Sequence, residues 1–198
     1  MPKAKTDKSE EKILNLLAEA GLLKRVRRSG WWVVGINQPE SVAEHCFRCA
    51  VLGYVLAKME KADSNSVTMM CLFNDLHEAR INDSHKMASI YFDHRLAEDT
   101  AFGAQVEDLP RPIREEMRGW RREYTRQKSK ESIIARDADI LECLLQAKEY
   151  YEQGHEQAKL FFQKAPEHLR TASARKLWKK AQKWKSSTWW QKVAEFKR

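Results

Sequence analysis

The sequence predicts an all-α fold. Apolar residues recur at three- and four-residue spacing through most of the chain, and helix-start signatures stand before several of these runs. Seven Gly and five Pro in 198 residues leave few tight turns for an all-β design. Hydrophobic residues at 42% and charged residues at 32% fit a folded, soluble chain rather than a disordered one. No apolar run approaches the roughly 18 residues that cross a bilayer. The opening MPKAKTDKSEEK lacks the apolar segment of a secretory signal, so a cytoplasmic location is expected.

Residues 9–23 read as a first helix, with Ile13, Leu16, Leu17, Ala20 and Leu23 on one face and Gly21 as its C-cap. A basic run, Lys24 to Arg28, leads into a loop carrying Trp31 and Trp32. These tryptophans suit either core anchors or a stacking wall. Ser41-Val42-Ala43-Glu44 fits a capping box, so a helix starts near Val42 and runs to about Glu60. Its inward stripe is Val42, Cys46, Cys49, Gly53 and Leu56, with His45 at the edge. Asp63 to Ser66 form a turn and helix start, and the next helix spans about Val67 to Arg80. Residues 84–102 are helical with a less regular pattern. Pro110 and Pro112 open a helix to about Arg126. After the polar link 128–130, a helix from about Glu131 to Gln153 is apolar on more than one side and therefore central. It carries Arg136, Asp137, Asp139 and Glu142, and Gly154 stops it. Residues 156–163 extend it or form a short helix of their own. From Pro166, Leu169, Ser173, Leu177, Ala181 and Trp184 share one face of a helix, and Trp189, Val193 and Phe196 form a last turn or two. The organisation is a helical domain at 9–165 with an extension, 166–198, packed on it.

The stretch Met70 to His85 organises the chemistry. Asn74, Asp75, His77, Glu78, Asp83 and His85 fall within twelve positions. The inward stripe Val67, Met70, Cys71 continues at helical spacing into Asn74, Asp75 and Glu78. Buried groups of this kind need pairing, hydrogen bonds or a cation. A His from one helix, a polar pair and a Glu from a second, and an Asp from a third suit one divalent transition metal, among Mn, Fe, Co, Ni and Zn; a buried hydrogen-bond network is the alternative. A Glu that is not a ligand can manage the proton of the attacking water. Cys46 and Cys49 form a CxxC without a second pair and read as core thiols. Residues 174–198 hold nine Lys or Arg and one acid, which leaves 27 basic and 27 acidic residues elsewhere. The tail thus carries the whole net charge of +8.

The order His45, Asn74-Asp75, Asp139 resembles the HD-domain metal-dependent phosphohydrolases. Gly30-Trp31, PESVAEH at 39–45, DLHE at 75–78 and DADILECLLQAKEY at 137–150 are similar to the 5′-deoxynucleotidase group of that family, over roughly residues 12–153. The resemblance implies an all-α HD-domain helical bundle, here with a basic, Trp-rich C-terminal extension, and a homodimer or larger assembly. It implies His45, Asp75 and Asp139 as metal ligands, with Asn74 at the position of the family's second histidine. Glu78 would be the catalytic acid or base. Asp83 would contact the sugar or orient water, and Trp31 would line the nucleotide pocket. Periodicity leaves Asp137 and Asp139 undecided; the family's Ala-Asp pattern selects Asp139. Asn74 is a neutral and weaker donor than imidazole toward transition metals. Gly30 stands where some deoxynucleotidases place a phosphate-binding Arg, with Arg28 and Arg80 as substitutes.

Three functions follow as expectations. The first is hydrolysis of a nucleotide, a 5′-(deoxy)nucleoside monophosphate above all, impaired to some degree by Asn74. The second is a nucleotide-binding module of reduced activity. The third is binding of nucleic acid or an anionic surface through 174–198, against a plain packed helix with solvated lysines.

Overall fold

The structure is a computed structural model and describes residues 8–193. Among these residues there is no strand, and one isolated antiparallel bridge joins Arg27 to Ser41. The centre is built from α2 (Val42–Glu60), α3 (Ser64–Phe73) and α7 (Lys130–Glu152). The capping box is present in full: Ser41 Oγ accepts from the Glu44 N–H, and the Glu44 carboxylate accepts from the Ser41 N–H. All five residues of the predicted α2 stripe are buried. Gly53 lets α2 and α3 touch, since a Cβ there would lie 2.7 Å from Cys71 Sγ and 3.2 Å from Val67 Cγ1. The α7 helix is buried on two sides, as its pattern predicts, with Ile134, Ala138, Leu141 and Leu144 fully enclosed.

A second apolar cluster joins α1 (Lys8–Leu22), α5 (His94–Val106) and α6 (Arg111–Arg126) to the start of α2, through Leu23, Val42, Leu76, Phe102, Val106 and Met117. Gly21 lies inside α1 and does not take the left-handed conformation expected of a cap. Gly154 does, at φ 101°, just past α7. Residues 84–102 are only partly helical: a 3₁₀ turn at Ala88–Ile90 precedes α5.

The single helix expected from Val67 to Arg80 is divided. It stops at Phe73 and resumes as the short α4 (Glu78–Ile81). Arg121 on α6 donates to the Asn74 carbonyl (3.1 Å), while the Glu78 N–H goes to Asp75 instead (3.0 Å). Bonds of the i→i−3 type run from Leu76 to Arg80. A path with three residues per turn eclipses positions three apart, so Asp75 and Glu78 face the same way.

After α7 come a 3₁₀ segment (Glu156–Leu160), α8 (Phe161–Lys164), α9 (Ala172–Ala181) and α10 (Thr188–Val193). Leu169, Ala174, Trp178 and Ala181 join the same core as α2, α3 and α7. Asp137, fully buried on α7, fixes the entry to α9. It accepts from the N–H of Arg170 (2.9 Å), the N–H of Thr171 (2.6 Å) and the Thr171 hydroxyl (2.7 Å). Of the predicted tail face, Leu169, Ser173 and Ala181 are buried and Trp184 is exposed. Phe196 lies outside the described residues.

Candidate metal centre

His45 stands one turn into α2 and is 1% exposed. Its Nε2 lies 3.3 Å from Asp75 Oδ2 and 3.3 Å from Asp139 Oδ1. Its Nδ1 makes a short hydrogen bond to Glu142, one turn beyond Asp139 on α7. Glu142 is held in turn by Arg48 Nε at 2.9 Å, and Arg48 also reaches Glu149 at 2.7 Å. If Glu142 takes the Nδ1–H, a neutral imidazole turns its lone pair on two carboxylates, an arrangement that needs a positive charge. Without one from outside, the ring supplies it. Burial and Arg28 push the His45 pKa down, but hydrogen bonds to Asp139, Asp75 and Glu142 outweigh them and hold it well above the usual histidine range. One imidazole nitrogen with two carboxylate oxygens each 3.3 Å away offers the donor types a divalent transition metal takes. Two donors about 2.0–2.2 Å from such an ion lie roughly 3–3.5 Å apart, as each N···O pair does here.

Among the described residues, the group of three whose ligand atoms all lie within 4.8 Å of one another is Glu40, His45 and Glu142. That side of the ring is already neutralised by Arg48 and does not border the large cavity, whereas Asp75 and Asp139 do. The Nε2 side is therefore the better cation site.

Asp75, Asp139, Asn74, Arg28, Tyr124 and Arg136 line a cavity of ≈ 920 Å³. Lys86, Arg95, Arg121 and Lys164 add further cations to its lining. Arg28 Nη1 stands 3.8 Å from Asp75 Oδ2. Arg80 is paired with Glu19 and is not a wall residue, so of the two expected substitutes Arg28 is the one at the site. Glu78 is buried and does not border the cavity, and its Oε2 has no hydrogen-bond partner. Burial first, then the negative charge of Asp75 and Asp83, raises its pKa well above the carboxylate range. Asp139 is held low: burial opposes ionisation, but His45 and Arg136 overcome it. Arg136 reaches Asp139 Oδ2 at 2.7 Å, and the Tyr124 hydroxyl donates to the same oxygen at 3.2 Å.

Two expected substrate contacts sit elsewhere. Trp31 is 1% exposed and does not border the cavity. It packs on Tyr150 and Phe161 and donates its indole N–H to Glu40 at 3.1 Å, which makes it a core anchor. Asp83 accepts the N–H of Ser29 and so ties down the loop that carries Arg28. His77 is buried on the cavity wall, 3.9 Å from Glu98. Asn74 Nδ2 donates to Asp75 Oδ1 at 2.7 Å. Sequence reasoning missed the bracing by Glu142 and Arg48. Its signal was the i, i+3 spacing of Asp139 and Glu142, which puts both on one helix face.

In the tail, Trp178 is buried against Phe162, while Trp184, Trp189 and Trp190 are 38, 63 and 46% exposed. Arg175, Lys176, Lys179, Lys180, Lys183 and Lys185 are all exposed. No helix among the described residues is long and apolar enough to cross a membrane.

The sequence profile described as HD domain matches residues 20–182. A human protein named 5′-deoxynucleotidase HDDC2 is 31% identical over 149 residues, which are 75% of this chain and 72% of that protein. A solved structure of the PH0347 protein from Pyrococcus horikoshii OT3 is 30% identical, with a TM-score of 0.73 over 86% of this chain and 96% of that one. A cyanophage S-2L HD phosphohydrolase (DatZ), solved with dA and one catalytic Zn²⁺ ion, shares the fold at 15% identity, with a TM-score of 0.53 over 84% of this chain and 94% of that one. With the profile spanning most of its length, this chain belongs to the HD-domain family.

Proposed function

We propose that this protein is a metal-dependent phosphohydrolase that acts on nucleotides, a 5′-(deoxy)nucleoside monophosphate first among them. One observation carries the reading: an imidazole nitrogen flanked by two carboxylate oxygens on the wall of a large, cation-lined cavity. The relatives named 5′-deoxynucleotidase support the substrate class.

His45, Asp75 and Asp139 would hold one divalent ion among Mn, Co, Fe, Ni and Zn. Such an ion supplies Lewis-acid polarisation of the phosphoryl oxygen and lowers the pKa of water. The chain does the rest. Glu142 fixes the orientation of the His45 ring. Arg28 offers a fixed cation to the phosphate beside Asp75. Glu78, with a raised pKa and an unpaired oxygen, takes or gives the proton that hydrolysis moves. Asp83 holds the loop carrying Arg28 in place. Four free cysteines suit a reducing, cytoplasmic setting, and the family resemblance supports a homodimer, which light scattering would test. The main experiment measures phosphate release from a panel of nucleotides with Mn²⁺ or Co²⁺. Turnover in the wild type that disappears in Asp139→Ala is expected. Nucleotide-dependent thermal stabilisation without turnover would favour a binding module instead.

A second reading, binding of nucleic acid through the tail, is favoured by the exposed Trp184, Trp189 and Trp190 among exposed lysines. Deleting 174–198 would remove Trp178 from the core, so the test replaces Lys176, Lys179, Lys180 and Lys183 with Gln. Steeply salt-dependent binding of single-stranded nucleic acid that this variant loses would support it.

A further inference from the structure

We propose that Asn74 is not a metal ligand but the residue that positions Asp75, so that the protein donors of the centre are His45, Asp75 and Asp139 alone. This rests on the metal-centre reading above. A metal would have to use the amide oxygen, since the amide nitrogen is a donor only. The neighbours of Asn74 decide which way the amide faces. Its Nδ2 lies 2.7 Å from Asp75 Oδ1, and its Oδ1 lies 3.5 Å from Arg121 Nη1. Turning the amide over would set oxygen against a carboxylate and NH₂ against a guanidinium, so both contacts would become repulsive.

Arg121 cannot easily leave. Its side chain is 9% exposed and is held by Glu98 Oε2 at 3.0 Å and Asp99 Oδ1 at 2.9 Å. Its Nη1 also donates to the Asn74 carbonyl at 3.1 Å. An ion drawn to the amide oxygen would therefore approach a fixed positive charge. Asp75 divides its oxygens accordingly. Oδ2 faces His45 Nε2, and Oδ1 is held by Asn74. The amide thus works on the oxygen that does not face the imidazole and sets the angle of the one that does.

The test titrates the metal-stripped full chain with Co²⁺. Visible absorption reads the donor set, and a competing chelator reads affinity. His45→Ala and Asp139→Ala should abolish tight uptake. Asn74→Ala should weaken uptake about tenfold, as loss of an outer partner does, with band positions and intensities unchanged. Asn74→Leu, closer in size, serves if the alanine variant melts too low to titrate. Altered bands in Asn74→Ala or Asn74→Leu would overturn the proposal and leave the metal-centre reading standing. Co²⁺ uptake that survives His45→Ala and Asp139→Ala, or no uptake by the wild type, would sink that reading and this proposal with it.

Discussion

Asp137 and Asp139 sit two residues apart on α7, and replacing each with Ala should produce opposite outcomes. Asp137 is fully buried and serves three donors: the N–H groups of Arg170 and Thr171 and the Thr171 hydroxyl. Leaving a buried donor unpaired costs about 1–3 kcal/mol. Three such losses share one site and are not additive, so about 3–5 kcal/mol is expected in total. For a chain of this size that lowers Tm by roughly 10 °C. Asp139 lies on the cavity wall and pairs with Arg136, which is half exposed, so its removal should shift Tm by no more than about 3 °C. Metal uptake should follow the reverse order: lost in Asp139→Ala and kept, below the melting range, in Asp137→Ala. Thermal melts and Co²⁺ titrations on the same samples decide it. A larger Tm loss in Asp139→Ala, or Co²⁺ uptake lost in a folded Asp137→Ala, would refute the assignment.

Glu78→Gln should lower turnover by about 10²–10⁴-fold while leaving metal content intact, measured by phosphate release beside metal analysis. Arg28→Ala should raise KM for a nucleotide monophosphate with little change in metal affinity, because Arg28 faces Asp75 at 3.8 Å without competing for the His45 nitrogen. Gly53→Ala should destabilise by about 1–3 kcal/mol in chemical denaturation, since the added methyl meets Cys71 Sγ at 2.7 Å. Adding Cys71→Ala should recover part of that loss, and no recovery would place the strain elsewhere.

Much of this was legible in local sequence. The α2 capping box is an exchange between residues three apart, and the burial of α7 on two sides appears as apolar residues on two faces. What was not legible depended on partners far along the chain. The helix through Asn74 divides because Arg121, 47 residues away, takes its carbonyl. Spacing could not separate Asp137 from Asp139, since a helix enclosed on both sides gives both an inward direction; the donors Arg170 and Thr171 separate them. Trp178 reads as one of several aromatics among lysines, yet the turn of α9 carries it inward and leaves Trp184 outside. Trp31 was expected on the nucleotide pocket, and its burial follows from Tyr150 and Phe161, which close over it from beyond residue 149.

The three side chains that meet at His45 Nε2 come from α2, the turn after α3, and α7, the same elements that form the main core. An ion seated there would act as a rivet through the frame, not an ornament on its surface. Unfolding would require its release, so the melting temperature should climb with the concentration of free metal, by about 2.7 kcal/mol of added stability at a hundredfold excess over Kd.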